Sequence, residues 1–312
     1  MKTATVDGKL SLWYKIRRDL KTNWGLLLMF LPVLIFYGMF HYAPMYGMQI
    51  AFKDYTMYDG IFKSPWIGFE HFRNFFQSIY FTRLIRNTFV ISSLDIVLGF
   101  PIPIIFALLL NELRLNFFKR TVQTISYMPH FISTVVIAGM ILDFCSRKGV
   151  INIILGFFGT GPIIFMTEPK WFPFVYVLSG IWQQFGWSSI IYLGALTAID
   201  PQLYEAASID GASLWHKLLH VTIAGIIPTI MIMLILRIGQ VFSVGSEKIL
   251  LLYNGATYET ADVISTYVYR QGLQQANYSF SAAVGFFNSI INFAMLLIFN
   301  RISKKVTEVG LF

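Results

Sequence analysis

Charge and cysteine are scarce in this 312-residue chain. Asp, Glu, Lys and Arg make up 13% of it, against about 25% in a typical soluble domain. So little charge excludes an ordinary soluble enzyme and a disordered tail. The single cysteine, Cys145, excludes a disulfide framework and a Cys-based metal cage within one chain. A phosphate-cradling Gly-x4-Gly-Lys-Ser/Thr motif is missing. The one Gly-Lys pair, Gly8-Lys9, runs on into Leu10. The chain therefore does not bind ATP in the P-loop manner. Repeats, low-complexity tracts and a linker to a second soluble domain are also missing.

What is present is apolar. Hydrophobic residues make up 56%, with 30 Phe and 16 Tyr. The net charge of +8 is not gathered into the basic patches of a nucleic-acid-binding domain. A helix needs about 20 apolar residues to cross the hydrocarbon core. Six segments qualify: Trp24 to Ala43, Thr88 to Leu110, Val122 to Leu142, Phe172 to Leu196, Ile223 to Val241 and Phe280 to Phe299. Pro129 and Arg237 interrupt the third and fifth. The alternation of a membrane barrel is absent, so the expected fold is an all-α, polytopic membrane protein with six transmembrane helices. The first segment follows a 23-residue basic leader and has no small-residue cleavage site, which argues against a cleaved signal.

Lys and Arg set the expected orientation. Lys2, Lys9, Lys15, Arg17, Arg18 and Lys21 precede the first span. Arg114, Lys119 and Arg120 follow the second, Lys217 follows the fourth, and Arg301, Lys304 and Lys305 follow the sixth. These lie in short segments on one side, which places both termini in the cytoplasm. The expected layout is a cytoplasmic segment 1–23, a six-span domain 24–300 with a cytoplasmic loop 198–222, and a cytoplasmic tail 301–312. Outside, Gly68 to Tyr80 carries Phe69, Phe72, Phe75, Phe76 and Tyr80 at helical spacing. That aromatic face suits the outer leaflet or the rim of the bundle. Val150 to Phe158 is apolar but too short to span.

The loop DPQLYEAASIDGASLWHKLLH, Asp200 to His220, is unusual for a connection between two spans. Pro201 suits the first turn of a helix capped by Asp200. Asp210-Gly211 is a turn signal, because glycine takes positive φ without steric cost. Ala206, Ala207 and Ala212 let another backbone come close. The pattern predicts two short helices joined by a turn, either a compact docking element or a plain connection.

EAASIDGAS within this loop resembles the EAA loop of binding-protein-dependent ABC importer permeases. Glu205, Ala206, Ala207, Asp210, Gly211 and Ala212 match in register. The resemblance implies a coupling helix seated in a cleft of an ATPase subunit, with Glu205 ordering the loop, Gly211 permitting the bend and the alanines fitting the cleft. One departure is Ala224, where the family usually has proline; Pro228 follows four residues later. Beyond the loop, GIWQQFGWSSIIYLGALTAIDPQLYEAA resembles carbohydrate-type permeases. GFPIPIIFALLLNELR, SYMPHFIS and EKILLLYNGATYETADVISTYVYRQGL resemble the branch that imports complex oligosaccharides and polysaccharide fragments, such as those of alginate, pectin or glycosaminoglycans. The resemblance runs from about Asn23 to Lys305. It implies a permease subunit in a bacterial inner membrane and a second, non-identical permease. It also implies two ATPase subunits that bind the ATP, and an extracytoplasmic sugar-binding protein. No cofactor is expected in this chain, and no nucleic-acid partner.

Sugar sites combine aromatic faces with amides and hydroxyls. The fourth span offers Trp182, Gln183, Gln184, Trp187 and Ser188, with Ser189 beside them. The sixth offers Asn288 and Asn292 on one helical face, with Ser289. Helix–helix hydrogen bonding is the competing role for all of these. Asp95 and Arg237 are ionisable at membrane depth, which marks a pathway or a polar contact between spans. Arg237, with Gln240 nearby, suits an ion pair, the pathway wall or an acidic sugar. His216 and His220 are four residues apart but lack a third metal ligand, so no metal is expected. Tyr258 to Arg270 suits an outer gate or a contact with the binding protein. An ion-coupled secondary carrier would use Asp95 and Arg237 but needs no EAA loop. An intramembrane enzyme lacks a nucleophile–base pair, since His41 and His130 stand in different spans. A permease of the same superfamily for another substrate class shares the loop motif.

Overall fold

The structure is a computed structural model that describes residues 20–311; most of the basic leader lies outside them. Every element among the described residues is helical apart from one isolated bridge, Lys53 to Trp66. Helix α1 (Trp24–Phe52) passes through a π-turn and a 3-10 turn, and its apolar stretch has no buried residue. Its last turns pack on the long final helix, α12 (Tyr278–Thr307). Between them come α2 (Glu70–Gln77), α3 (Phe81–Glu112), α4 (Asn116–Phe131), α5 (Thr134–Phe144) and α6 (Val150–Phe157). Then follow α7 (Phe172–Thr197), α8 (Pro201–Ile209), α9 (Leu214–Ile238), α10 (Ser246–Leu252) and α11 (Ile264–Tyr269).

Four helices, α1, α3, α9 and α12, are long and apolar enough to cross a membrane. The expected third span is not one straight helix. It is α4 and α5, bent by 100° at a short break. Pro129 cannot donate to the helical ladder, so the chain tightens into a 3-10 turn over Met128–Phe131. Ser133 then restarts the helix, its Oγ accepting from Val136 N. Helix α7 has 26 residues, length enough to span. Its amides and hydroxyls make it less apolar than the four.

Helix α7 is the axis of the bundle. It lies against the second half of α3 and against α9, and α9 in turn packs on α12. Gly186 lets α7 meet α4 backbone to side chain-free face: a Cβ there would sit 2.1 Å from the carbonyl oxygen of Ser126. Neither backbone can yield cheaply, so Gly186→Ala is expected to cost about 1–3 kcal/mol. A thermal melt of the purified protein checks this, as a lowered Tm.

The aromatic helix of the first loop settles on protein. Phe72 and Phe75 of α2 are buried, Phe72 beside Ala51 and Ala283, Phe75 beside Leu84, Tyr267 and Val284. Phe69 and Phe76 stay exposed. Helix α12 continues through residues 301–307, so the segment expected as a tail begins as helix.

Candidate functional site

Two features stand out. The first is a cavity of about 420 Å³ walled by α3, α7, α9 and α10. Helix α3 opens into a π-turn over Asp95–Gly99, and this turn presents Asp95 to the cavity. Arg237, in the last turn of α9, donates to the Asp95 carboxylate. The pair joins residues 142 apart in sequence. Asp95 is 29% exposed and Arg237 49%, so the pair lines the cavity and is not sealed in the core. Beside it, Ser92 Oγ donates to the carbonyl of Val241 and ties α3 to the segment after α9.

The sequence candidates divide between this cavity and other surroundings. Gln183, Gln184, Ser188, Arg237 and Gln240 line it. Gln183 is buried and donates to the Ile132 carbonyl at 3.3 Å, holding α7 to the α4–α5 break. Gln184 accepts from His130 Nδ1 at 2.8 Å. Trp187 stacks on the His130 ring, with centroids 4.4 Å apart and planes at 2°. Trp182 points instead into a second, apolar cavity with Phe144, Phe165 and Leu178. Two residues along a helix is about 200° of rotation, so Trp182 and Gln184 face opposite ways. Asn292 braces the end of α9. Its Oδ1 accepts from Phe242 N at 2.9 Å, and its Nδ2 donates to Ser243 Oγ at 2.8 Å. Asn288 lies off the cavity lining, with its Oδ1 buried and without a partner. The cavity also takes in Tyr176 and Lys248, which the sequence analysis did not select. The only local signal for Lys248 is a lysine at the head of an apolar run, Ile249 to Leu252.

The second feature is the loop. Helix α8 starts at Asp200, whose Oδ1 accepts from Gln202 N at 2.9 Å. It ends in a turn where Gly211 has φ of 73° and Ala212 N donates to Ala207 O at 2.9 Å. Ser213 caps the next helix, accepting from His216 N at 3.3 Å. Two side-chain contacts brace the element: Lys217 Nζ donates to Ser208 Oγ at 2.7 Å, and Tyr204 and Thr222 hydroxyls meet at 3.1 Å. Glu205 is exposed and makes no side-chain hydrogen bond or ion pair among the described residues. Ala206 and Asp210 are exposed too, and Ala207 and Ala212 half-buried. Ile209, Leu214 and Trp215 flank the turn and are 86%, 81% and 65% exposed. An apolar patch of this kind is covered by a protein or a membrane when it functions. Where the family pattern has proline, at Ala224, α9 has just left a π-turn over Leu218–Ile223. His216 and His220 stack with centroids 5.6 Å apart. No group of three or more metal-ligating side chains gathers among the described residues.

The segment Tyr258 to Arg270 is tied to α3. Asp262 is fully buried, with Arg270 at 2.7 Å and Arg83 at 3.2 Å. Thr266 Oγ1 donates to Asp262 Oδ1 at 2.9 Å, and Asn87 Nδ2 donates to the Asp262 carbonyl at 3.0 Å. Burial opposes the charge on Arg270, but Asp262 outweighs it and raises its pKa.

Residues 99–308 match the family described as binding-protein-dependent transport system inner membrane component. The chain is 42% identical over 288 residues to the polygalacturonan/rhamnogalacturonan transport system permease protein YteP of Bacillus subtilis, covering 92% of this chain and 90% of that protein. It also resembles a chain of a crystallised bacterial ABC transporter involved in the import of the acidic polysaccharide alginate. The TM-score is 0.86 and the identity 44%, over 94% of this chain and 99% of that one. A second structure, of a bacterial alginate ABC transporter in complex with an alginate pentasaccharide-bound periplasmic protein, aligns with a TM-score of 0.87 and 43% identity, over 97% of this chain and 100% of that one. The bundle, its braced inter-helix loop and these matches lead to one conclusion: the chain belongs to the binding-protein-dependent transport system inner membrane components, the permease subunits of ABC importers.

Proposed function

We propose that this permease forms half of the pore of an importer for oligosaccharides, including uronic-acid fragments of polysaccharides. The observation that carries this is a cavity in the apolar bundle whose wall, though more apolar than polar, carries a cluster of polar and charged groups. Amides from α7, hydroxyls and a closed ion pair give its wall the groups that sugars need. Gln183, Gln184, Ser188, Arg237 and Gln240 form the pathway wall, and Trp187 stands on its His130 platform beside Gln184.

The spans number six, counting α7 and the bent α4–α5 pair, and both termini face the cytoplasm of a bacterial cell. The loop 198–222 then lies inside, where Glu205, Ala206, Ala207, Asp210, Gly211 and Ala212 meet the ATPase. The chain carries no cofactor of its own; ATP belongs to two partner ATPase subunits. A second, non-identical permease completes the pore, and a sugar-binding protein loads it from outside. ATP-driven closure of the ATPases moves the loop and so selects between two arrangements of the spans. Asp95 is engaged by Arg237, so the acid at the π-turn of α3 is not free to carry a coupling ion.

The test is ATP hydrolysis by the reconstituted complex with its binding protein, against a panel of neutral and uronic-acid oligosaccharides. Stimulation by uronic-acid oligosaccharides is expected. No stimulation by any sugar, with the complex intact and basally active, refutes the oligosaccharide substrate.

A further inference from the structure

The cavity wall holds a second cation, which makes no direct ion pair among the described residues. Lys248, in the first turn of α10, is 8% exposed. Its Nζ donates to the carbonyl of Tyr176 at 3.1 Å and lies 5.0 Å from the centre of the Tyr176 ring. No carboxylate among the described residues comes within ion-pair distance of it. The two acids on the cavity wall are otherwise placed. Asp95 is engaged by Arg237, and Glu247, exposed on the wall, forms no ion pair with Lys248. Opposite Nζ stands Gly180, also on the wall; a Cβ there would come within 3.5 Å of the ammonium. With no side chain at Gly180, α7 puts no side-chain atom against Nζ at that position.

An ammonium offers three donors, and one is used. Burying a cation without a counter-charge is costly unless something supplies the missing partner. A carboxylate entering the cavity supplies it, through a charge-assisted hydrogen bond of the stronger kind. A neutral sugar hydroxyl supplies a dipole only. We infer that Lys248 is a specificity residue of the pathway, which receives the carboxylate of a uronic-acid residue as an acidic oligosaccharide passes. Arg237, the cation more visible in the sequence, does not have this role, because its charge is already met within the chain. The inference rests on the oligosaccharide importer proposed above and adds which residue separates acidic from neutral sugars.

The experiment is uptake into proteoliposomes holding the whole complex and its binding protein. The probes are a labelled uronic-acid tetrasaccharide and the same tetrasaccharide with its carboxyls reduced to alcohols. Wild type, Lys248→Met and Lys248→Arg are compared. Lys248→Met keeps the length of the side chain and removes its charge. It is expected to lower acidic uptake, and the ratio of acidic to neutral uptake, by about tenfold, the scale of one lost hydrogen bond to a charged group. Lys248→Arg keeps the charge and is expected to retain most of the acidic uptake. Equal loss of both sugars in Lys248→Met, or loss in both variants alike, overturns the inference in favour of a structural lysine. Unchanged acidic uptake in Lys248→Met also overturns it. Wild type that takes up neither sugar refutes the importer reading itself, and the inference falls with it; wild-type uptake with an indifferent Lys248 refutes the inference alone.

Discussion

Gly211→Val is expected to abolish sugar-stimulated ATP hydrolysis while the permease still inserts and assembles. The cause is backbone conformation and not crowding. Gly211 sits at φ of 73°, and no atom lies within 4 Å of where its Cβ would be. An L-residue in that region costs roughly 1–2 kcal/mol, and a β-branched residue is a true outlier there. The turn can relieve the strain by changing the angle between α8 and the start of α9. That motion carries Ile209 and Leu214, which stand on either side of the turn, out of register with any partner. A graded series separates this from general damage. Asn tolerates positive φ through its short polar side chain, so Gly211→Asn is expected to keep most of the stimulation. Gly211→Ala falls between. Stimulation measured at saturating loaded binding protein gives the ranking Gly, Asn, Ala, Val. Full stimulation in the valine variant would remove the loop from the coupling path.

Breaking the Asp95–Arg237 pair is the second large effect. Removing one partner of a buried ion pair costs about 3–5 kcal/mol, because the other charge is left stranded. Asp95 is 29% and Arg237 49% exposed, so this pair is not sealed and solvent brings the cost below that range, toward the roughly 0–1 kcal/mol of a surface pair. Arg237→Met leaves Asp95 alone in the wall, and Asp95→Asn leaves Arg237 alone. Each single variant is expected to lower both the Tm of the complex and oligosaccharide uptake. The double variant, with both charges gone, is expected to recover part of each loss, which a double-mutant cycle reads as coupling. The cycle also decides what Arg237 is for. If it received acidic sugars directly, Asp95→Asn would free it and raise acidic uptake. The expected result is a fall.

The loop between α7 and α9 was legible because its chemistry is local. Asp200, Pro201, Gly211 and Ser213 act on neighbours one to three residues away, and no distant contact is needed to choose the conformation. The family membership was legible for the same reason, through a run of consecutive residues. Other parts were not. Pro129 in an apolar run reads as a kink at most, whereas the 100° bend also needs the 3-10 turn before Ser133 and the Gln183 contact from another helix. An aromatic stripe on α2 looks the same whether lipid or protein covers it; α12 decides, and it lies about two hundred residues on. The pairing of Asp95 with Arg237 was left open because it is set by how α3 and α9 cross. Trp182 was grouped with Gln184 by composition, although helical rotation sends them to different cavities. Lys248 carries no motif, and its isolation appears only when every nearby acid has been placed.

The pinned N-terminal end of α3 acts as an anchor. Arg83 and Asn87 fasten this helix to the Asp262 cluster, while its second half is seated along α7. Between the two anchors lies the π-turn at Asp95–Gly99, where the helical ladder is looser than on either side. A rod clamped at both ends and weakened in the middle flexes at the weak point. A displacement of either end of α3 therefore arrives at Asp95 as a hinge rotation in the wall of the cavity.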